Sequence, residues 1–284
     1  MTAMPSLSWP VTIAVLFAAL LHAAWNVSVK GSKDPAADLA GLTFGASLLT
    51  LPIVLWVPFP KMEVWPYLLA SNVIHIAYYS SLAATYRYAD ISVGYPIMRG
   101  SAPLLVTLFG ILALREHPSA STWLGVLLIS GGVLSLAFVQ GKQTGSWRGA
   151  GFALANATTI ATYTLVDAAG ARMNDQTLSY VAWMFFLEGV PFAAFMYWRR
   201  GSEFLQHLRS RWHIGLAAGF SSALAYGIAV WAMTRAPVGA VAALRETSVV
   251  FAMLLASALL NDRLSLRRWC GVVAVFVGAV VLRV

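Results

Sequence analysis

The sequence predicts an all-α integral membrane protein of ten transmembrane helices, built as two inverted five-helix repeats. Three observations carry that expectation: apolar stretches of spanning length, a shortage of charge, and a self-match at a fixed offset. Of 284 residues, 59% are hydrophobic and 11% charged, with a mean hydropathy of +0.73. Soluble domains carry roughly 25% charged residues, so neither a soluble enzyme nor a disordered chain is built from this composition. The net charge of +8 is scattered between apolar segments. There, Lys and Arg anchor spans at a membrane surface rather than contact nucleic acid. The single cysteine, Cys270, excludes an intrachain disulfide and a Cys-based metal cluster.

A spanning helix needs about 20 apolar residues. Ten stretches qualify: 10–29, 38–58, 65–86, 91–114, 121–139, 148–169, 177–198, 212–234, 238–260 and 266–283. Their short connections leave no room for a soluble domain. The first stretch has no basic segment before it, so it reads as helix 1 of the mature protein rather than a cleaved signal. A β-barrel is excluded because segments such as 254–260 are apolar without alternation. Pro96, Pro103, Pro191, Gly131 and Gly132 suit helices whose freed backbone groups are satisfied by neighbours. Gly215 and Gly219 form a G-x-x-x-G, expected to pack helices within the bundle more than to form a dimer seam.

The self-match has an offset of 146 residues: Arg99 with Arg245, Glu116 with Asp262, Ser119 with Ser265, Trp123 with Trp269, Gly125 with Gly271, Gly132 with Gly278. It lays helix 4 on helix 9 and helix 5 on helix 10, giving repeats over 1–140 and 141–284. Five is odd, so the second copy enters the membrane from the opposite side. Inverted duplication around buried polar groups points to a secondary transporter with its site near the midplane.

Pro103, the run Leu114-Arg115-Glu116, then Trp123, Gly125 and Gly132 resemble the end-of-repeat signature of the drug/metabolite transporter superfamily, ten-helix EamA-like branch. The signature recurs as Leu259-Leu260-Asn261-Asp262, then Trp269, Gly271 and Gly278. Val249 stands where the first copy has Pro103, so helices 4 and 9 are expected to bend differently, and Asp262 stands where Glu is usual. The resemblance implies transport of a small molecule. The superfamily handles amino acids, nucleotide sugars, phosphorylated sugars, nucleosides and drugs.

An ionisable group at bilayer depth costs about 2.5–3.5 kcal/mol on insertion scales. His22, Trp25, Asn26 and Lys30 share one face of helix 1, and Ser71, His75, Tyr78 and Tyr79 one face of helix 3. Helix 4 places Tyr95 one turn before Arg99; helix 6 aligns Asn156, Thr159 and Tyr163; helix 7 aligns Tyr180, Met184 and Glu188. Turned inward, these stripes line one cavity; turned against neighbours, they glue helices together, the expected role of Asn26, Asn156 and the hydroxyls. The expected substrate-binding set is His22, Trp25, Asn26, His75, Tyr78, Tyr79, Tyr95, Arg99, Tyr163 and Arg245. Arg99 and Arg245 lie about 12 and 10 Å into their spans from opposite faces, close to the midplane. Glu188 and Glu246 are the expected charge-pairing partners, with Glu188 the proton carrier. Trp65, Tyr67, Trp147, Trp198 and Trp212 are expected in the interfacial belt. No cofactor is expected, and no metal, because His22 and His75 lack a third ligand of matching depth.

The function expected is a secondary active transporter exporting an amino acid or small organic anion by alternating access. Alternatives are an importer or exchanger of a phosphorylated or phosphonate compound, and multidrug efflux. A polytopic membrane enzyme lacks nucleophilic or phosphate-cradling constellations, and a channel would show longer outward loops. The expected partners are a small-molecule substrate, the lipid bilayer and a proton, without nucleic acid, for a monomer or weak dimer in a bacterial inner membrane. Odd-numbered connections hold twelve basic residues against five on the other face, which places them in the cytoplasm.

Overall fold

The computed structural model describes residues 7–30, 34–138, 147–260 and 265–283. Its α-helices are α1 (Trp9–Lys30), α2 (Pro35–Trp56), α3 (Trp65–Tyr88), α4 (Ile91–Ala113), α5 (Ala120–Ser135), α6 (Trp147–Met173), α7 (Thr177–Arg200), α8 (Ser202–Met233), α9 (Val238–Arg245), α10 (Thr247–Leu260) and α11 (Leu266–Val281). They form ten spans, because α9 and α10 are one span broken at Glu246. Among the described residues, six segments are long and apolar enough by themselves to cross a membrane. Asp262, Lys33, Lys142 and Arg263 lie outside the described residues.

Local chemistry sets the ends. Asp34 caps α2 by accepting from the Ala37 N–H at 3.1 Å, with Pro35 in the first turn where its missing N–H costs nothing. Ser119 caps α5 through the Thr122 N–H at 3.1 Å. Gly201, at φ 55°, ends α7 in the left-handed conformation that glycine adopts without strain. Arg211 breaks the helical dihedrals (φ −122°, ψ 18°) inside α8, separating a surface segment from the span expected to start at 212.

The bend expected between the two copies is present in an instructive form. α4 runs unbroken through Pro96 and Pro103, whereas the ninth span, without a proline, tightens to a 3-10 turn where the Glu246 N–H reaches the Ala243 carbonyl at 2.9 Å. Mid-helix 3-10 turns mark hinges. This one follows Arg245 directly.

The repeated glycines make the seam between repeats. A Cβ on Gly125 would lie 3.0 Å from the Gly278 carbonyl oxygen, and one on Gly132 would lie 2.8 Å from that of Gly271. These two contacts exchange under the 146-residue offset, so α5 and α11 cross antiparallel about a pseudo-two-fold axis. The same relation recurs between α2 and α7, where Thr43 and Gly189 are equivalent positions: a Cβ on Gly189 would meet the Thr43 carbonyl oxygen at 2.1 Å. Inversion is therefore visible in the packing.

Symmetry is not complete. α2 lies against α8 with backbones touching at Gly41, Gly45, Gly215 and Gly219, so the G-x-x-x-G faces a partner inside the bundle. The equivalent pair, α3 and α7, meet through side chains and not through their backbones; Trp65 and Trp183 stand between them, ring centroids 5.5 Å apart. Trp65 and Tyr67, in the first turn of α3, are half-buried against the bundle at the end of their span. Trp147, Trp198 and Trp212 are exposed. On the face carrying the odd-numbered connections, Asp38 accepts from His207 Nε2 at 2.7 Å and from Arg211 at 2.8 and 3.0 Å, and Asp34 pairs with Arg200. Burial works to raise the Asp34 carboxyl pKa, but the Ala37 N–H and Arg200 outweigh it and hold it below the ordinary carboxylate value.

Candidate functional site: two arginines on the pseudo-two-fold axis

α4 and α9 cross where the repeats meet, and the crossing places Arg99 and Arg245 together. Arg99 is buried, and its Nε lies 2.8 Å from Glu246 Oε2. The pair meets at a poor angle, so it is an ion pair without a hydrogen bond, and Nη2 of Arg99 has no partner among the described residues. Arg245 forms no ion pair among the described residues. Its guanidinium instead sits 4.8 Å from the centroid of the Tyr226 ring and lines a small cavity with His22, Ala18, Ala19 and Ala225. His22 is within electrostatic reach of both arginines, and Trp25 meets its ring edge-on at 5.0 Å. Tyr95 is within electrostatic reach of Arg99 and Glu246.

Tyr163 and Tyr226 extend the cluster toward α3 and α6. The His75 ring stacks on Tyr163 at 4.4 Å, and Tyr78 and Tyr226 each meet Tyr163 at 5.9 Å. His75 Nδ1 lies 2.8 Å from the Ser71 carbonyl oxygen; a carbonyl only accepts, so Nδ1 carries a proton. Asn156 donates to the Tyr78 carbonyl and Ser81 hydroxyl, both at 2.9 Å, holding α6 to α3. Asn26 turns back to the His22 carbonyl at 2.8 Å.

Two expectations need correction. Among the described residues Glu188 pairs with no arginine: it accepts from the Tyr79 hydroxyl at 2.6 Å, and Tyr79 stacks on Phe192, which draws both residues to the α3–α7 contact. The reason is which helices meet: Glu188 is one residue from the Thr43–Gly189 crossing of α2 and α7, whereas Arg99 belongs to the α4–α9 crossing. The second is an omission. Asp167, one turn beyond Tyr163 on the stripe Asn156–Thr159–Tyr163, is wholly buried and accepts from the Tyr180 hydroxyl at 2.9 Å and the Tyr226 hydroxyl at 2.6 Å. Continuing that stripe by four residues would have found it.

Glu116, the acidic residue of the repeated signature, closes the face carrying the even-numbered connections. Arg115 adopts φ 52°, and the Glu116 N–H returns to the Gly110 carbonyl at 3.2 Å, a left-handed helix ending that swings the carboxylate across to the other repeat. There it accepts the Val238 N–H (3.2 and 3.0 Å), capping α9 where Pro237 has no side chain able to do so. Arg172 completes the clasp, donating to Glu116 at 2.6 Å and to the Met233 carbonyl at 2.9 Å. Its counterpart in the first repeat is Asn26, which turns back to the His22 carbonyl of its own helix, so this pair does not repeat the clasp on the other face. Glu116→Gln leaves Arg172 without its anion at a cost of about 1–3 kcal/mol. In a Cys270→Ser background carrying Ala236→Cys, a residue buried in the clasp, Glu116→Gln is expected to speed labelling by an impermeant thiol reagent several-fold. An unchanged rate would mean that Glu116 does not hold this face shut.

Comparison with known proteins agrees with the architecture. The family model described as the EamA-like transporter family matches twice, over residues 9–138 and 147–284. No curated protein sequence matches the chain. A solved crystal structure, 20% identical and covering 96% of each chain, superposes with a TM-score of 0.71, a likeness of fold alone. Two copies of the family's repeat, meeting antiparallel on the glycines of its signature, span almost all of the sequence: the chain belongs to the EamA-like transporter family.

Proposed function

We propose that the protein is a secondary active transporter that moves a small metabolite bearing a carboxylate or phosphate-like group by alternating access. One observation carries the reading: at the repeat crossing, two guanidinium groups share a single carboxylate. A guanidinium stays charged at any accessible pH and forks onto planar oxyanions. Glu246 answers Arg99, which leaves Arg245 and the free Nη2 of Arg99 for a second anion. Substrate supplies that anion, and the hinge at Glu246 lets it compete for Arg99 as the faces exchange. The aromatic surfaces of Trp25, Tyr78 and Tyr163 suit the rest of a small organic molecule.

An amino acid or small organic acid fits this site; a cationic drug meets two like charges. Net export, the direction expected from the sequence, requires an outward substrate gradient larger than any gradient coupled against it. The test is counterflow in proteoliposomes with labelled carboxylates, amino acids, phosphorylated compounds and cationic drugs. Anionic or zwitterionic compounds are expected to exchange. Exchange confined to cations would overturn the assignment and leave the arginines as internal struts. Within the exchanged set, Tyr78→Ala is expected to reorder substrate preference more than it lowers yield; lost yield with the same ranking would make Tyr78 a packing residue.

A further inference from the structure

Asp167 is a buried carboxylate for which the transport reading has no use. It sits at zero exposure in α6 and has no ion pair among the described residues. Two neutral phenols, Tyr180 from α7 and Tyr226 from α8, donate to its two oxygens. A buried carboxylate is expensive when charged, and this one is balanced by hydrogen bonds rather than by an ion pair. One donor, Tyr226, is also the residue whose ring carries the Arg245 guanidinium. A single side chain therefore touches the buried carboxylate with its hydroxyl and the unpaired arginine with its face.

We propose that Asp167 is the site of a transported proton, and that Tyr226 links its occupancy to anion binding at Arg245. This rests on the anion reading above. With Asp167 ionised, its charge pulls on the Tyr226 hydroxyl, enriches the ring and holds Arg245 on it; the same charge opposes an incoming anion. When a proton from water binds a carboxylate oxygen, the O–H donates to the Tyr226 oxygen, the phenol's own hydrogen turns away, and Arg245 is freed for substrate. Proton and anion thus favour each other and travel together. By linkage the coupling is reciprocal: the anion raises proton affinity by the factor by which the proton raises anion affinity.

The groups around Asp167 are consistent with this exchange. From α3, His75 and Ser71 lie beside it, and from α7 Tyr180 donates to it. From α4 and α9, Arg99, Arg245 and Glu246 act on Tyr163, and Arg245 acts on Tyr226, the two phenols that also feel Asp167. Arg172, on α6 itself, is committed to Glu116. Glu188 is the rival proton site, but its phenol, Tyr79, stacks on Phe192 and meets Tyr78 edge-on, and among the described residues no arginine lies over any of these rings, as Arg245 lies over Tyr226.

The experiment is an infrared pH titration of the purified protein in lipid, following the protonated-carboxyl stretch, with and without inorganic phosphate and acetate as anion probes. A titrating band absent from Asp167→Asn and present in Glu188→Gln is expected. Either probe should raise its midpoint by about one pH unit, the equivalent of a tenfold coupling, and Tyr226→Phe, a single-oxygen change that keeps the ring, should reduce that displacement. The inference is overturned if the band follows Glu188→Gln, if no band depends on Asp167, or if Tyr226→Phe keeps the full displacement. Asp167→Asn that fails to fold leaves the Tyr226→Phe measurement decisive. Failure of the anion reading looks different: neither probe changes the thermal stability or the midpoint of the wild type at any pH.

Discussion

Arg245→Lys is expected to leave the protein folded and to weaken substrate binding about ten- to a hundredfold. Hydrogen bonds to charged groups contribute about 1.5–3 kcal/mol, and a lysine keeps the charge but loses the fork. Arg99 should behave differently although it is the equivalent residue in the other repeat. It is buried against Glu246, and removing one member of a buried ion pair costs about 3–5 kcal/mol because the other charge is stranded. Arg99→Ala should therefore lower Tm sharply, and Arg99→Ala with Glu246→Ala should recover much of the loss. Arg245→Ala should lower Tm less, since among the described residues no carboxylate forms an ion pair with it and Glu246 keeps Arg99. Melting curves in detergent beside counterflow KM values make the comparison. Equal losses of stability at both sites would mean that Arg245 has an internal partner and that the site is not asymmetric.

Gly189→Ala is expected to be the most damaging small substitution in the chain. A Cβ there would lie 2.1 Å from the Thr43 carbonyl oxygen and 2.4 Å from Ser47 Oγ. The first obstacle is backbone, so relief requires moving α2 from α7. The second is a working hydrogen bond: Ser47 Oγ accepts the Gly189 N–H at 3.1 Å and donates to the Phe185 carbonyl at 2.7 Å, bridging α7 just before Pro191. Overpacking costs typically 1–3 kcal/mol, and loss of the Ser47 bridge adds to it. Gly151→Ala and Gly131→Ala are the controls. Nothing lies within 4 Å of either new Cβ, and alanine in a helix is favoured over glycine by about 0.5–1 kcal/mol. Both should be neutral or slightly stabilising. A Gly189→Ala protein as stable as these controls would mean that the two crossing helices stand further apart than described.

Much of the fold was legible in the sequence because a bilayer makes span length a composition problem. The stretch expected from 91 begins at Ile91, and the stretch expected from 238 begins at Val238. The repeat was legible because glycine, serine and the acidic residue each have a job fixed by backbone geometry. Ser119 and Ser265 stand at the N-caps of α5 and α11, and the four glycines let two helices touch.

Periodicity also gave the stripes, but a stripe says which residues share a helix face and nothing about which helix they meet. Tertiary structure decided that Glu188 goes to Tyr79 and Glu246 to Arg99, although both carboxylates had the same standing along the chain. It decided that Glu116 reaches across to cap α9, a long-range contact no local pattern encodes. Asp167 shows the limit most clearly. The stretch expected over 148–169 leaves it two residues from the end of the span, whereas α6 continues to Met173 and carries it inside. Its importance comes from two phenols on other helices, α7 and α8. Hydrophobic length is a property of one segment and can be read there; charge compensation is a property of pairs, and only packing chooses the pairs.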